Sequence, residues 1–528
     1  MELATVGAAL GAHPILAIIV TSIVYFWLLA FYRLFLHPLA HIPGPKLPII
    51  TLWYEFYYDV ILGGKTLEKY PEWHKKYGPI VRINADELHC MDPAFVDTIY
   101  ASASGGRKRD KSDFYLRAFP IYESCFGTAD HDLHRLRRAS LNPFFSRTNV
   151  REFETSIKQY INKSFDQIDS YSKTGEVCNL TLAFVSLSID LITYVAFGWD
   201  RGYANHRDFE PNLFGPLRAS MGMAHALRHI PFLYPLMSEW IPESVMLKLD
   251  PKMSEWIMFE KQIFQTVDDV FDSKQEWSKH EGHKTIFREI LDGNFPAQEK
   301  SRNRLKEGAR EVIGAGALTT STAITYLSYY LHANPSTLEK LNIELETAIP
   351  DPSNLPPSTE LEKLPYLNGC LHETLRFSCG IASRSPRVPH EQILYTSSTA
   401  PSTYNPTGKQ YTYTIPARTP MSTSPYHMHN NPDVFPEPEK WMPERWLDAD
   451  GKRHNELDIG FLPFSKGTRG CVGINFAWMV MHIEAAMFIR RFGRRMRLYE
   501  TAADEMVYDH DCFEVGHASN KGIRVLVD

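Results

Sequence analysis

The longest apolar run comes first in the chain. From Leu3 to Tyr32 there is no Asp, Glu, Lys or Arg, and the density is greatest from Ile15 to Tyr32, continuing through Leu34, Phe35 and Leu36. About 20 helical residues cross a hydrocarbon core of about 30 Å, so the run predicts a single membrane-spanning helix. Tyr25, Trp27, Tyr32 and Arg33 suit an interface at its C-terminal end. The run is longer than the apolar part of a cleaved signal peptide, and no basic stretch precedes it, which favours a retained anchor. Arg33 and Lys46 follow the run and no Lys or Arg precedes it, so the positive-inside rule places the bulk of the chain in the cytosol. The sequons at Asn162 and Asn179 then never meet the glycosylation machinery.

After the anchor, His37-Pro-Leu-Ala-His-Ile-Pro-Gly-Pro-Lys46 reads as a stiff linker, because proline fixes φ and cannot continue a helix. Beyond it the apolar positions mostly recur with helical period. Helices are predicted over Asp130–Ala139, Glu152–Tyr171, Leu180–Phe197, Pro251–Phe271, Arg304–His332, Ser336–Thr347, Tyr366–Phe377 and, as a buried one, Gly473–Phe492. Short alternating stretches at Ile80–Ile83, Leu88–Cys90, Tyr411–Ile415 and Ile523–Val527 predict strands. Regular βαβ alternation is missing, and Gly314-Ala-Gly316 lies inside a helical run, so nothing supports a dinucleotide site. The fold class is mainly α with a small β region. The expected organisation is an anchor over 1–36, a proline-rich hinge over 37–48 and one domain over 49–528.

Composition narrows the function. A net charge of −6 over 528 residues argues against nucleic acid as a partner. Of the cysteines, Cys90, Cys125, Cys178, Cys370, Cys379 and Cys512 read as small buried hydrophobes in a reducing compartment, with no Cys-x-x-Cys spacing among them. Cys471 differs because of its surroundings, Phe464-Ser-Lys-Gly467-Thr-Arg469-Gly-Cys471-Val-Gly473. A cysteine in a glycine-rich turn can be merely buried. Yet by average composition this residue set at these spacings arises by chance in about one such chain in 10⁴. Gly467 permits a tight turn, and Gly473 permits close approach of the following helix. Arg469 can pair with an anionic group, and Phe464 can pack against the loop.

This loop resembles the haem-binding signature of the cytochrome P450 superfamily, Phe-x-x-Gly-x-Arg-x-Cys-x-Gly, at every fixed position. The resemblance implies a cytochrome P450 fold, haem b as cofactor and Cys471 as the axial thiolate, a ligand that favours O–O cleavage. Other stretches are similar to motifs of the same family. Glu373-Thr-Leu-Arg376 and Pro443-Glu-Arg445-Trp446 resemble the elements whose Glu and Arg side chains form a structural triad: Glu373, Arg376 and Arg445. His134 and Arg138, four residues apart on one helical face, are similar to propionate ligands, and Arg387 is a further candidate by position. A solvated basic helix is the plainer reading of His134–Arg138.

Gly314-Ala-Gly-Ala-Leu-Thr319 looks like the oxygen-binding segment, with small residues passing close to the haem and Thr319 orienting water. An interior threonine can equally bond back to its own helix. Leu318 departs from the pattern, standing where an acid is usual, as does Arg418 where glycine is usual. The resemblance, covering roughly Pro38 to Asp528, is to fungal microsomal members serving secondary metabolism. It implies an endoplasmic reticulum monooxygenase that hydroxylates or epoxidises a lipophilic substrate, such as a terpenoid or polyketide intermediate, using O₂. No flavin or nicotinamide domain is visible, so electrons are expected from NADPH–cytochrome P450 reductase docking near Cys471. Phe114–Phe126, Ala315 and Gly380–Ala382 are expected at the distal pocket. Two alternatives stay open: a haem-thiolate isomerase or dehydratase, which Leu318 favours, and a non-catalytic haem-binding protein.

Overall fold

The structure is a computed structural model that describes residues 14–102, 104–210, 212–249, 253–272, 285–519 and 521–528. The start of the apolar run and residues 251–252 of one predicted helix lie outside the described residues.

The anchor forms a helix over Pro14–Phe31 that continues through Tyr32–Leu36. Over Pro14–Leu36 the mean hydropathy is 2.3 and only 6% of the most apolar window is buried, which suits a helix surrounded by lipid. Leu180–Phe197 is nearly as apolar, with a hydropathy of 1.9, but is 83% buried and is a core helix. The proline-rich stretch is docked on the domain, which differs from a free linker. Leu39 and Ile42 join a core cluster with Ile80, Leu88 and Met421, and Arg82 donates from its backbone to Pro43 O at 3.0 Å.

A helix of 32 residues, Arg302–Ala333, runs through the middle of the domain, and the Ser301 side chain caps its first turn. It passes close to Leu180–Phe197. A Cβ on Gly316 would lie 2.7 Å from Ile192 Cγ1, so Gly316 serves helix–helix packing. Around this pair stand Glu154–Thr174, Pro335–Ala348, Pro365–Ser378 and Ile474–Phe492, sharing one large apolar core. Helices at Phe214–Gly222, Ala224–His229 and Ile286–Asp292 escaped the sequence pattern.

The β structure is small. A five-stranded sheet joins Ile80–Arg82, Leu88–Cys90, Met421–Ser422, Arg387–Pro389 and Arg109–Lys111 in that order. Its last pair is antiparallel and sets Lys111 opposite Arg387. A C-terminal hairpin of His510–Cys512 and Glu514–Gly516 turns at Phe513, which has a φ of 75°.

Candidate active site

The loop from Phe464 to Gly473 is held by its own backbone. Gly467 has a φ of +69°, and a Cβ there would sit 2.1 Å from Tyr100 O, so both conformation and space demand glycine. The Phe464 carbonyl accepts the Cys471 N–H at 2.8 Å, and the Phe464 ring lies 5.9 Å from that of Trp478. Gly473 is the N-cap of Ile474–Phe492, which puts Cys471 just ahead of a helix N-terminus, where a thiolate is favoured. The expected role of Gly473 in close helix approach is not what the structure shows. A Cβ there would meet only Cys471 Sγ, at 3.9 Å, so the glycine keeps the sulfur uncovered.

Cys471 is exposed, whereas the other six cysteines are buried. Nevertheless burial pushes its thiol up, against the opposing pull of the Gly473 N–H and then Arg138. A sulfur that is accessible yet surrounded by protein faces an interior space, not bulk water.

The long helix forms the opposite wall. Ala315 is exposed in mid-helix although its neighbours Ile313 and Ala317 are buried, and a Cβ on Gly314 would meet nothing within 4 Å. Thr319, one turn on, donates its hydroxyl to Ala315 O at 2.8 Å. This back-bond leaves the Thr319 oxygen lone pairs free to accept. Leu318 is only 1% exposed and packs in the main core, away from the open face.

Between the two walls lies a cluster of cations. His134 is buried, and desolvation followed by Arg469, Lys111, Arg138 and Arg387 lowers its pKa to about 2, so it is neutral. Lys111, which the sequence reading missed, is buried and donates to Phe126 O at 2.7 Å. Burial pulls its ammonium well below the usual lysine range, with Arg387 and Arg469 pushing the same way. Arg469 donates to the carbonyls of Thr128 and Ala129, both at 2.6 Å, and Arg138 donates to Gly470 O. Arg387 donates to Ser385 Oγ at 2.7 Å. The buried Nε atoms of Arg387 and Arg469 have no partner. Among the described residues, none of these four cations has a carboxylate hydrogen-bonded to it. Such a set fits a ligand that brings its own negative charge, as haem propionates do.

Glu373, Arg376 and Arg445 stand apart from this space and satisfy one another. Arg376 reaches both Glu373 oxygens at 2.9 and 2.8 Å, and Arg445 Nε donates to Oε1 at 3.0 Å. Met442 N and Trp446 Nε1 donate to the same carboxylate, each at 2.9 Å. The distal side is apolar. Tyr115, Leu116, Phe119, Phe126, Ile381, Met221 and Phe513 form one cluster, with Phe119 and Phe513 rings 4.5 Å apart. Phe513 and Met221 had no sequence signal, since they come from a hairpin tip and an unrecognised helix. Arg418 holds a φ of 66°, the conformation glycine would favour, and pairs with Asp110 at 2.6 Å.

The family model described as cytochrome P450 matches residues 42–498. The chain belongs to the cytochrome P450 family. It is 36% identical over 525 residues to the cytochrome P450 monooxygenase tpcC of Cochliobolus heterostrophus, covering 97% of both chains. Two further relatives are the tryptophan 6-hydroxylase fscE of Fusarium equiseti, 34% identical over 94% of each chain, and the N-acetyltryptophan 6-hydroxylase ivoC of Emericella nidulans. The latter is 30% identical over 97% of this chain and 96% of its own. A P450 of this kind is a haem-dependent monooxygenase of fungal secondary metabolism. Its apolar N-terminal helix suits membrane anchoring.

Proposed function

We propose that this P450 is a membrane-anchored monooxygenase that hydroxylates or epoxidises a lipophilic intermediate, a terpenoid or polyketide, with haem b bound through the Cys471 thiolate. The observation that carries this reading is the pairing of one accessible cysteine in an enclosed space with buried cations that lack counter-charges. Arg387, Arg469, Arg138, Lys111 and His134 would hold the propionates, and Phe464 fixes the ligand loop. Haem iron, when bound, supplies oxygen activation, with one oxygen atom passing to substrate and the other reduced to water. Thr319 donates to Ala315 O, and its free lone pairs would accept a hydrogen bond from a water on the open face of the helix and orient it there. Leu318 packs in the core and takes no part.

Electrons are assigned to NADPH–cytochrome P450 reductase. A groove of about 570 Å³ beside the cysteine loop is lined by Arg147, Arg151, Arg453 and Lys466 as well as Glu362 and Asp458. Arg147 pairs with Glu362, Arg453 with Asp458 and Lys466 with Asp97, so its basic excess is small and a docking partner would have to compete for those pairs. We assign the protein to the endoplasmic reticulum membrane as a single-pass protein, its domain in the cytosol, divided into an anchor over 1–36, a docked proline-rich stretch over 37–48 and the haem domain over 49–528. Exposed Trp53, Ile61, Phe232 and Trp240 offer a second membrane contact. The segments bearing them meet through the Phe56 and His229 rings, 5.7 Å apart.

A second substrate reading rests on the aromatic pocket wall together with the two relatives named as tryptophan hydroxylases: an indole derivative stacked on Phe119, Phe126 and Phe513. Microsomes co-expressing the reductase, fed a panel holding both lipophilic and indole precursors, separate the two by the product formed. Cys471→Ala abolishes turnover and the thiolate signature of the reduced-CO spectrum; if either survives, the ligand assignment is wrong. Thr319→Ala raises NADPH use per product formed, and unchanged coupling removes Thr319 from the proton path.

A further inference from the structure

Two short helical segments meet behind the aromatic wall, each carrying a pair of ligand-type side chains. Glu55 and Asp59 lie on Trp53–Phe56 and its continuation Tyr57–Ile61; His225 and His229 lie on Ala224–His229. Four-residue spacing puts each pair on one helical face. The two faces oppose each other. His225 Nδ1 is 3.6 Å from Asp59 Oδ2, with the side chains 4% and 2% exposed. His229 Nε2 is 4.0 Å from Glu55 Oε1, at 5% and 7% exposure. Glu55, Asp59 and His229 each offer a ligand atom within 4.8 Å of the other two.

These separations are too long for hydrogen bonds, and neither His225 Nδ1 nor His229 Nε2 has another partner. The tautomer of His225 is fixed from its other side. Its Nε2 lies 2.7 Å from the Asp511 carbonyl, which only accepts, so Nε2 carries a hydrogen, and the neutral form of the ring presents its Nδ1 lone pair to Asp59. Asp59 Oδ1 is occupied by the Thr66 N–H at 3.1 Å, leaving Oδ2 facing that lone pair. Two electron pairs confronting each other in a buried site repel unless a cation, either a proton or a metal ion, lies between them. Donors bound at 2.0–2.1 Å around a tetrahedral ion sit about 3.4 Å apart, so small side-chain shifts suffice here. Histidine ligands that donate their second N–H to a backbone carbonyl are also the usual support for a metal.

Charge points the same way. The buried network contains four carboxylates, Glu55, Asp59, Glu87 and Asp511, against two guanidiniums, Arg228 and Arg384. Arg384 pairs with Glu55 at 2.7 Å and Glu87 at 2.9 Å, and Arg228 approaches Glu55 at 3.9 Å. Carboxylates outnumber guanidiniums, and burial raises the Asp59 carboxyl above its usual range, so the excess negative charge is relieved by a bound proton or a bound cation.

We propose that Glu55, Asp59 and His229, with His225 beside Asp59, bind a divalent first-row cation of the zinc class. The ion clamps Ala224–His229 to the segment that follows the anchor. Through the Phe114–His229 ring contact at 5.4 Å it also steadies the loop on the distal side.

The test uses the full-length holoprotein purified in detergent without chelator. Metal analysis is expected to find zinc stoichiometric with haem. A chelator removes it and lowers the melting temperature by several degrees, and zinc alone restores both. Asp59→Asn and His229→Ala lose the zinc while keeping the thiolate signature of the reduced-CO spectrum. Zinc retained equally in both variants overturns the proposal, because the metal then sits elsewhere. If the variants fail to fold, titration of the wild type decides: no bound zinc and no rise in melting temperature also overturns it, leaving a proton shared between His225 and Asp59.

Discussion

Two buried groups of arginines lie in the same domain and are finished to different degrees. Around Glu373, both carboxylate oxygens are taken by Arg376, Arg445, Met442 or Trp446, and the two guanidiniums share that one counter-charge and donate their other hydrogens to backbone carbonyls. Around His134, burial first and then neighbouring cations lower Lys111 and Arg469, burial lowers Arg387, and two guanidinium nitrogens have no partner among the described residues. Burying a charge is tolerable only when it is paired and hydrogen-bonded. The first group is therefore a joint the chain completes alone, while the second, on the proposed reading, is completed by an anionic ligand. This contrast, more than the presence of arginine, separates scaffold from binding site.

The largest effect that can break this comparison comes from the joint. Glu373→Ala leaves Arg376 and Arg445 buried and unpaired, at a cost of about 3–5 kcal/mol. The expected result is loss of folded protein with or without added haem, read by expression level and thermal melting. A variant that folds normally and loses only haem would move Glu373 into the binding site.

Arg387→Met should do the opposite, because it removes a cation that repels its neighbours. The haem-free protein keeps or gains stability, while haem loss to an acceptor apoprotein accelerates by roughly 10–100-fold, the loss of one charged hydrogen bond. Lys111→Met should act in the same direction. If either variant destabilises the haem-free protein as much as it weakens haem retention, the two clusters are alike.

The smallest effect sharpens the rule behind both. Glu484 is buried and its two oxygens have no partner, and burial alone pushes its pKa up from 4.5 to about 8. The folded state thus holds the neutral acid, whereas the unfolded chain ionises above about 4.5. Its stability contribution is fully present below that value and is lost as pH rises through about 8. Glu484→Gln should melt close to wild type at pH 5 and progressively above it towards pH 8. A gap that does not grow with pH would mean that Glu484 has a partner in solution.

The parts of the site legible in the sequence are local. The cysteine loop carries its proposed ligand, its obligatory glycine and its arginine within ten residues. Helix positions were legible because apolar periodicity records burial, although the ends shift by a residue or two where caps such as Ser301 decide them. Lys111 was illegible for the converse reason. In Arg109-Asp110-Lys111 it looks like a solvated charge run, and only the pairing with Arg387 turns it inward. Phe513 depends on a left-handed turn that bulky residues rarely adopt, so no local preference announces it. The docking of Leu39 and Ile42 likewise depends on strands much further along the chain.

That docking has a mechanical consequence. Arg82 Nη1 donates to Arg33 O at 2.8 Å, and Arg33 Nη1 donates to Ile50 O at 2.5 Å, so the last turn of the anchor is bolted to the domain at two points. These bonds resist rotation of the domain about its stalk, so that a tilt of the anchor in a bilayer is passed on to the domain. The height of its groove beside the cysteine loop above the lipid would then follow that tilt. A redox partner that meets the groove therefore meets it in the orientation that the anchor sets.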